Sequence, residues 1–119
     1  MWRGCSNNAE KMLRVELAFF AALASLSAVS AQAESFTAGT VMQKMEERER
    51  YAFVAGVVEG LAFARYKADG DSPAGMSCIY TWFYHEDGAV ETVYAAFRKF
   101  PDNTPVGVVS ALIRRRCDG

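Results

Sequence analysis

Histidine is scarce in this 119-residue chain, the net charge is small, and familiar catalytic motifs are missing. One histidine, His85, cannot build a usual zinc site, and the carboxylates do not follow calcium-loop spacing. No serine lies in a G-x-S-x-G elbow, the motif that presents the nucleophile of α/β-hydrolases. The formal net charge of −1 lacks the basic footprint of a nucleic-acid-binding protein. We therefore expect no metal, no cofactor and no nucleic-acid partner.

Proline and glycine show no period along the chain. The three prolines and nine glycines are scattered, which excludes a collagen-like or low-complexity chain, and no internal repeat is visible. Hydrophobic residues make up 51% of the chain and charged residues 23%, proportions that are typical of a globular protein. The length accommodates one domain.

The amino-terminal part has the pattern of a secretory signal peptide. Arg14 precedes an apolar run at 19–29, and the small-x-small sequence Ala31-Gln32-Ala33 follows it. The run is short for a bilayer span, and an uncleaved anchor or a buried helix is the alternative.

Residues 1–11 form a polar stretch ahead of that run, and Met12 is the more ordinary start of a signal peptide. We therefore predict a signal peptide at 1–33, within which residues 1–11 are an over-extended start. Residues 34–119 then form one domain in the periplasm, with no stable membrane insertion after the signal is removed.

The stretch from Glu46 to Ala68 organises the rest of the domain as a predicted central helix. Small residues recur there at every fourth position, which places them on one helical face. They are Ala52, Gly56, Gly60 and Ala64. Two glycines inside a helix cost about 1 kcal/mol each relative to alanine. Because that cost needs an offset, we expect another helix to pack unusually close against this small-residue stripe.

Other segments predict helices around the central one. Ser35 or Thr37 can cap a short first helix. Residues 76–87 fit a short buried helix or a strand, and we favour the helix because a lone strand would have no partner. Helical spacing marks 89–100 and 106–117, and a proline adjoins each segment. The sequence thus predicts an all-α fold, a compact bundle of four to five helices around a long central helix.

Cys78 and Cys117 would remain after signal removal. An even number of cysteines in an exported chain favours a disulfide. It would close a loop of about 40 residues and stabilise the fold by roughly 4 kcal/mol in the chain-entropy model. Free or metal-binding thiols are the alternative. We predict one disulfide that cross-links the bundle.

His85 lies beside Glu86 and Asp87, and a base next to carboxylates is a pattern of general acid–base catalysis. The same run is also typical of a solvated helix end, which we favour. We therefore predict no catalytic residue and no enzyme activity. The arginines at 114–116 could attract an acidic partner, but they also suit a helix carboxyl terminus.

Residues 69–75 predict the longest flexible loop of the domain, because two glycines, a proline and two aspartates fall within seven positions. Exposed loops on rigid scaffolds often carry binding. We therefore predict that this loop contacts a protein partner. The contact residues are Asp69, Asp71, Ser72 and Pro73.

With these residues in view, positions 36–117 resemble the Rap/Tai immunity proteins of bacterial type VI secretion. The matching features are Gly39 and Val41, Tyr51 with Gly56-Val57 and Gly60 on one helix, Cys78-Ile79, and a last helix with Ala111-Leu112 that ends at Cys117. Family members usually carry a proline after Cys-Ile, where this chain has Tyr80. The resemblance implies a small periplasmic helical protein, often a homodimer, that binds and blocks a peptidoglycan-degrading effector such as a secreted cell-wall amidase.

An acid-stress chaperone of the HdeA type is the second hypothesis. Such proteins are also small, exported, helical and disulfide-bonded, and the acidic side chains of this chain could drive an opening transition on protonation. The chain lacks the tryptophan-cysteine motif associated with that family. A small hydrolase is the third hypothesis, with no catalytic constellation to support it.

Overall fold

The computed structural model describes residues 35–119, which form five α-helices and one π-helical turn. The helices are α1 (Ala38–Lys44), α2 (Glu47–Ala68), α3 (Ala74–Tyr80), α4 (Ala89–Lys99) and α5 (Pro105–Cys117), and the π turn is Thr81–His85. This part of the chain contains no strand. The predicted all-α bundle around a long central helix is therefore confirmed. The predicted signal peptide lies outside the described residues.

The long helix α2 begins with a reciprocal capping arrangement. Glu46 precedes the first turn, and its backbone N–H donates to Glu49, while the side chain of Glu46 accepts from the backbone of Glu49. Arg65 and Lys67 occupy the last turn. Acidic residues at the start and basic residues at the end both complement the helix dipole.

The predicted packing of the small-residue stripe on α2 is wrong. All four of its residues, Ala52, Gly56, Gly60 and Ala64, are exposed. A Cβ atom added at Gly56 or Gly60 would have no neighbour within 4 Å. The face that enters the core is instead the adjacent row of Val54, Val58 and Ala62. The small residues do recur at every fourth position of the helix. Branched apolar side chains such as Val54 and Val58 bury more surface, however, so the face that carries them packs into the core.

Helix α1 is anchored by its amino terminus. The hydroxyl of Thr37 accepts from the backbone N–H of Thr40, which identifies Thr37 as the cap. The N–H groups of Ala38 and Gly39 donate to backbone carbonyls in the loop between α4 and α5. A Cβ at Gly39 would lie 3.1 Å from the Pro101 carbonyl oxygen. The glycine therefore permits a close approach of two backbones.

The segment after α2 is tighter than predicted. Helix α3 already begins at Ala74, inside the predicted loop at 69–75. A Cβ at Gly75 would lie 2.7 Å from Arg65 Nε and 2.6 Å from Asp69 Oδ2. Gly75 thus lets the start of α3 pack directly against the last turn of α2.

The carboxyl-terminal helix closes the domain. Thr104 caps α5 by accepting from the N–H of Gly107, with Pro105 in the first helical turn. A disulfide joins Cys78 on α3 to Cys117 at the end of α5, with a Cα–Cα distance of 5.9 Å. The predicted cross-link is confirmed.

One hydrophobic core runs through the centre of the bundle and draws on all five helices and the π turn. Its largest fully buried side chains are Val41, Val54, Val58, Ile79, Val93, Phe97 and Val109. Within residues 35–119, no helix has the length and apolarity needed to cross a membrane.

Candidate protein-contact surface

An exposed surface of polar aromatic side chains lies where the π turn meets α2. Glu59 on α2 accepts a 2.8 Å hydrogen bond from the Tyr80 hydroxyl and a 2.6 Å bond from the Tyr84 hydroxyl. Tyr51, two turns earlier on α2, is 44% exposed, and Tyr84 is 41% exposed. We call Tyr51, Glu59, Tyr80 and Tyr84 the tyrosine surface.

The tyrosine surface is held in place from beneath by Phe83. The Tyr51 ring stacks on Phe83 with centroids 6.2 Å apart, and the Tyr84 ring meets Phe83 edge-on at 4.9 Å. Phe83 itself is buried in the core. The aromatic side chains are therefore fixed to the interior by ring contacts as well as by hydrogen bonds.

Two tyrosines that are four positions apart reach one carboxylate. Tyr80 ends α3, and Tyr84 lies within the wider turn that follows. Their rings are 6.1 Å apart and both face Glu59, which donates nothing and accepts at both oxygens. Single π turns of this kind occur frequently at functional sites.

The hydrogen bonds set the protonation of this surface. The bond from Tyr84, followed by the bond from Tyr80, lowers the pKa of Glu59. Burial raises the pKa of Tyr84, and its bond to Glu59 raises it further. The bond to Glu59 is also the main cause of the raised pKa of Tyr80. At neutral pH Glu59 is thus a carboxylate, and the phenols of Tyr80 and Tyr84 are protonated.

This arrangement suits recognition of a protein. Tyrosines are enriched among the residues that dominate binding energy, because they combine large area with a polar end and few rotatable bonds. A carboxylate retains acceptor sites after taking two hydrogen bonds, so Glu59 can also accept from a lysine or arginine of a partner. The surface is therefore a preformed patch with apolar, polar and anionic contacts.

An acidic groove of about 690 Å³ adjoins the tyrosine surface at Tyr51. It runs between the first turns of α2 and the start of α4. Its lining residues are Glu46, Glu47, Arg48, Tyr51, Val90, Glu91 and Tyr94. With three carboxylates and one arginine, the groove extends the anionic character of the neighbouring patch.

Arg50 of α2 contacts both α1 and the ring of Tyr94, which lines the groove. Its guanidinium Nη2 donates to the backbone carbonyls of Met42 at 3.0 Å and Met45 at 2.9 Å, and its Cζ lies 5.4 Å from the centre of the Tyr94 ring. Arg50 Nε is buried and has no hydrogen-bond partner among the described residues. Arg50 thus fixes the carboxyl terminus of α1.

The predicted partner-contact loop is exposed at Asp69, Asp71, Ser72 and Pro73. Its two aspartates are engaged within the domain. Asp69 accepts from Arg65 at 2.8 Å, and Asp71, in the left-handed region at φ 60°, pairs with Lys67 at 2.5 Å. Arg65 also pairs with Asp118 at 2.6 Å, which links this loop to the chain's end. The loop is therefore braced by ion pairs, and its role in partner contact stays a prediction.

His85, Glu86 and the arginines at 114–116 lie outside the predicted contact loop. His85 is exposed at the end of the π turn, while Glu86 next to it pairs with Arg116 of α5. The arginine run therefore contributes one ion pair that joins α5 to the segment after the π turn. Among residues 35–119, no group of three histidine, cysteine or acidic side chains is arranged to hold a metal ion.

Sequence reasoning missed the tyrosine surface. Glu59 is 21 residues from Tyr80 and 25 from Tyr84, so no local pattern joins them. The available signals were a single acid within the apolar part of α2 and two tyrosines four positions apart. A short buried helix was expected at 76–87; Trp82 and Phe83 are buried there, whereas Tyr84 is 41% exposed.

No family model, curated protein or solved structure matches this chain.

Proposed function

We propose that this chain is an exported, non-enzymatic protein-binding domain of the immunity type, which blocks a peptidoglycan-degrading effector. The observation that carries the proposal is the exposed tyrosine surface, held by two hydrogen bonds to Glu59 and by ring contacts with Phe83. Binding through such a patch avoids much of the entropy cost of ordering side chains. The Rap/Tai resemblance supplies the partner class.

The disulfide supports this role physically. The cross-link between Cys78 and Cys117 ties α3, which leads into the π turn, to the end of α5. A domain of this size gains a large fraction of its stability from such a bond. The scaffold below the tyrosine surface is therefore rigid in an oxidising compartment.

An acid-responsive chaperone is the second candidate. The hydrogen bond from Tyr84, followed by the one from Tyr80, lowers the pKa of Glu59 in the folded state. A carboxylate whose pKa is lowered by folding loses its stabilising contribution as the pH falls through that pKa. This observation favours opening of the bundle in acid.

The two candidates are separated by affinity capture from the native host. The full chain with a carboxyl-terminal tag is purified from its own compartment at neutral pH and again after a shift to about pH 3, where carboxylates protonate. One stoichiometric cell-wall hydrolase at neutral pH, whose activity the chain inhibits, supports the immunity role. Many proteins captured only in acid support the chaperone.

The tyrosine surface is tested with two aromatic variants. Tyr84→Ala removes a central contact, and we expect affinity for the captured hydrolase to fall about 30-fold or more, as for a hot-spot residue. Phe100→Ala is the matched control, because Phe100 is 47% exposed but lies on the far end of α4. Equal affinities for both variants and the wild type would place the contact elsewhere. Hydrolysis of peptidoglycan by the chain itself would refute the non-enzymatic role.

A further inference from the structure

An apolar groove lies between the carboxyl-terminal half of α4 and helix α5. Its cavity has a volume of about 260 Å³, and its apolar lining residues are Ala96, Phe100, Val108, Ala111 and Leu112. None of these residues belongs to the tyrosine surface or lines the acidic groove beside it. We call this second cavity the α4–α5 groove.

Small side chains leave the α4–α5 groove open. Ala96 on α4 and Ala111 on α5 are partly buried, and Val108, which forms the floor, is 5% exposed. The inward faces of the same two helices carry Phe97 and Val109, which are fully buried. The core between the helices is thus filled without the two alanines, and apolar surface stays accessible beside it. A ligand that covers this surface removes it from water, which is favourable.

The charge of the α4–α5 groove is positive. Among the described residues, its polar side chains are those of Asn103, just ahead of α5, and Arg115, near the end of α5, and no carboxylate lines it. Arg116 forms an ion pair within residues 35–119, whereas its neighbour Arg115 forms none there. At the other end of the groove, the Lys99 ammonium lies 5.5 Å from the centre of the Phe100 ring. The groove therefore combines apolar walls with a guanidinium that no carboxylate of this part of the chain neutralises.

The groove follows the axis of α5. Val108, Ala111 and Arg115 recur at helical spacing, so they lie along one face of that helix. Because a helix rises about 1.5 Å per residue, this row of residues is about 10 Å long. An extended chain with its charge at one end matches this shape better than a compact ring does.

A straight alkyl chain that ends in a carboxylate has the matching chemistry. Its carboxylate can accept two hydrogen bonds from Arg115, because the planar guanidinium presents its donors as a fork. Lys99 is less suited to the headgroup, since its ammonium lies over the Phe100 ring. A sugar or a nucleotide would leave most of its polar groups without partners, because the described residues give the groove two polar side chains.

We propose that the α4–α5 groove binds a medium-chain fatty acid, with the alkyl chain along Val108 and Ala111 and the carboxylate on Arg115. The site is separate from the tyrosine surface and does not rest on the function proposed above. Phe100 forms part of its wall. Phe100→Ala should therefore weaken fatty-acid binding about fivefold, through lost apolar contact, while it leaves affinity for the hydrolase unchanged.

Titration calorimetry of the full chain with hexanoate, octanoate and decanoate tests the apolar part of the site. We expect one molecule to bind per chain, with an affinity that rises up to about fourfold for each added methylene. Decanoate should shift the amide NMR signals of residues 96–100 and 107–115. Ala111→Trp should weaken decanoate binding about 30-fold or more, because the indole fills the groove. Ala95→Trp, at an exposed position of α4 outside the groove, is the matched control.

Charge variants test the contact with the carboxylate. Arg115→Glu should weaken decanoate binding about 30-fold or more, because it replaces a charge-assisted hydrogen bond with repulsion. Arg114→Glu makes the same change of charge outside the groove, and it should have an effect below about threefold. Octanol and octylamine should bind at least about tenfold more weakly than octanoate. Circular dichroism verifies that each variant is folded, which is expected at Arg115 because this residue is exposed.

Decanoate that shows no saturable binding at millimolar concentration would overturn the proposal. Amide shifts confined to other helices would also overturn it, because the ligand would then bind elsewhere. Equal losses in Arg114→Glu and Arg115→Glu, or octylamine that binds as tightly as octanoate, would refute the carboxylate contact. If Ala111→Trp does not fold, the amide shifts of the wild type and the pair of arginine variants decide the question.

Discussion

Tyr84 donates a 2.6 Å hydrogen bond to Glu59 across 25 residues of chain, and Tyr80 donates to the other carboxylate oxygen. These two hydrogen bonds join the end of α3 and the π turn to the middle of α2. Both the electrostatics of the surface and its order depend on the ionised form of this one carboxylate.

Stability should therefore depend on pH through Glu59. The bond from Tyr84, then that from Tyr80, lowers its pKa in the folded state below the ordinary value of 4.5. Between the two pKa values the unfolded chain binds more protons, so this contribution is present above pH 4.5 and is lost as the pH falls through the lowered pKa. Urea unfolding between about pH 3 and 7 should show a smaller acid dependence for Glu59→Gln than for the wild type. Asp102→Asn is the control, and an unchanged acid dependence in Glu59→Gln would contradict the assignment.

Replacing Gly56 and Gly75 with alanine should change the stability of the fold in opposite directions. Gly56→Ala should stabilise the fold by about 1 kcal/mol, because the new methyl group meets no neighbour and alanine favours the helix. Gly75→Ala should destabilise it by about 1 kcal/mol, because the methyl group would displace the Arg65 side chain. Urea denaturation measures both. Equal effects would show that the close approach at Gly75 is not needed.

Two phenylalanines provide a matched test of the core. Phe97 is fully buried, and Phe97→Ala should cost about 3–5 kcal/mol through lost burial and an unfilled cavity. Phe63→Ala removes the same side chain from a position that is 62% exposed, and it should change monomer stability by less than about 0.5 kcal/mol. A large cost of Phe63→Ala would show that the Phe63 ring packs against something within the chain.

The disulfide should carry a large share of the folding free energy. Cys78 and Cys117 are separated by 39 positions, so replacing both with serine should lower the free energy of unfolding by about 4 kcal/mol in the chain-entropy model. Adding a reductant should lower the stability of the wild type to that of the double variant. The double variant should not respond to reductant, and a response there would mean that another thiol contributes.

Much of the fold could be predicted from local patterns. The cap at Thr37, the acidic start of α2 and the Thr104-Pro105 start of α5 are signals that act within one helical turn, and all three appear in the structure. The disulfide followed from the number of cysteines expected after export. These features depend on neighbouring residues in the sequence or on the number of cysteines, so the sequence is enough to predict them.

The face of α2 that enters the core could not be predicted in the same way. The spacing of Gly56 and Gly60 predicted that the stripe is buried, and the structure places it on the outside. A helix with apolar residues on more than one side has several faces that satisfy a periodicity test, and α2 is such a helix. Which face enters the core depends on the shapes of the other helices.

The sequence by itself determined the helical class, most helix ends and the cysteine pair, because capping, proline placement and cysteine number are local properties. Only the tertiary structure decided that Val54 and Val58 face inward while Gly56 and Gly60 face solvent. The tertiary structure also places Glu59 within hydrogen-bond distance of Tyr84, which no local pattern predicts. Burial and long-range hydrogen bonds depend on how separate helices pack against one another. That packing is determined only when all of the helices assemble around one core.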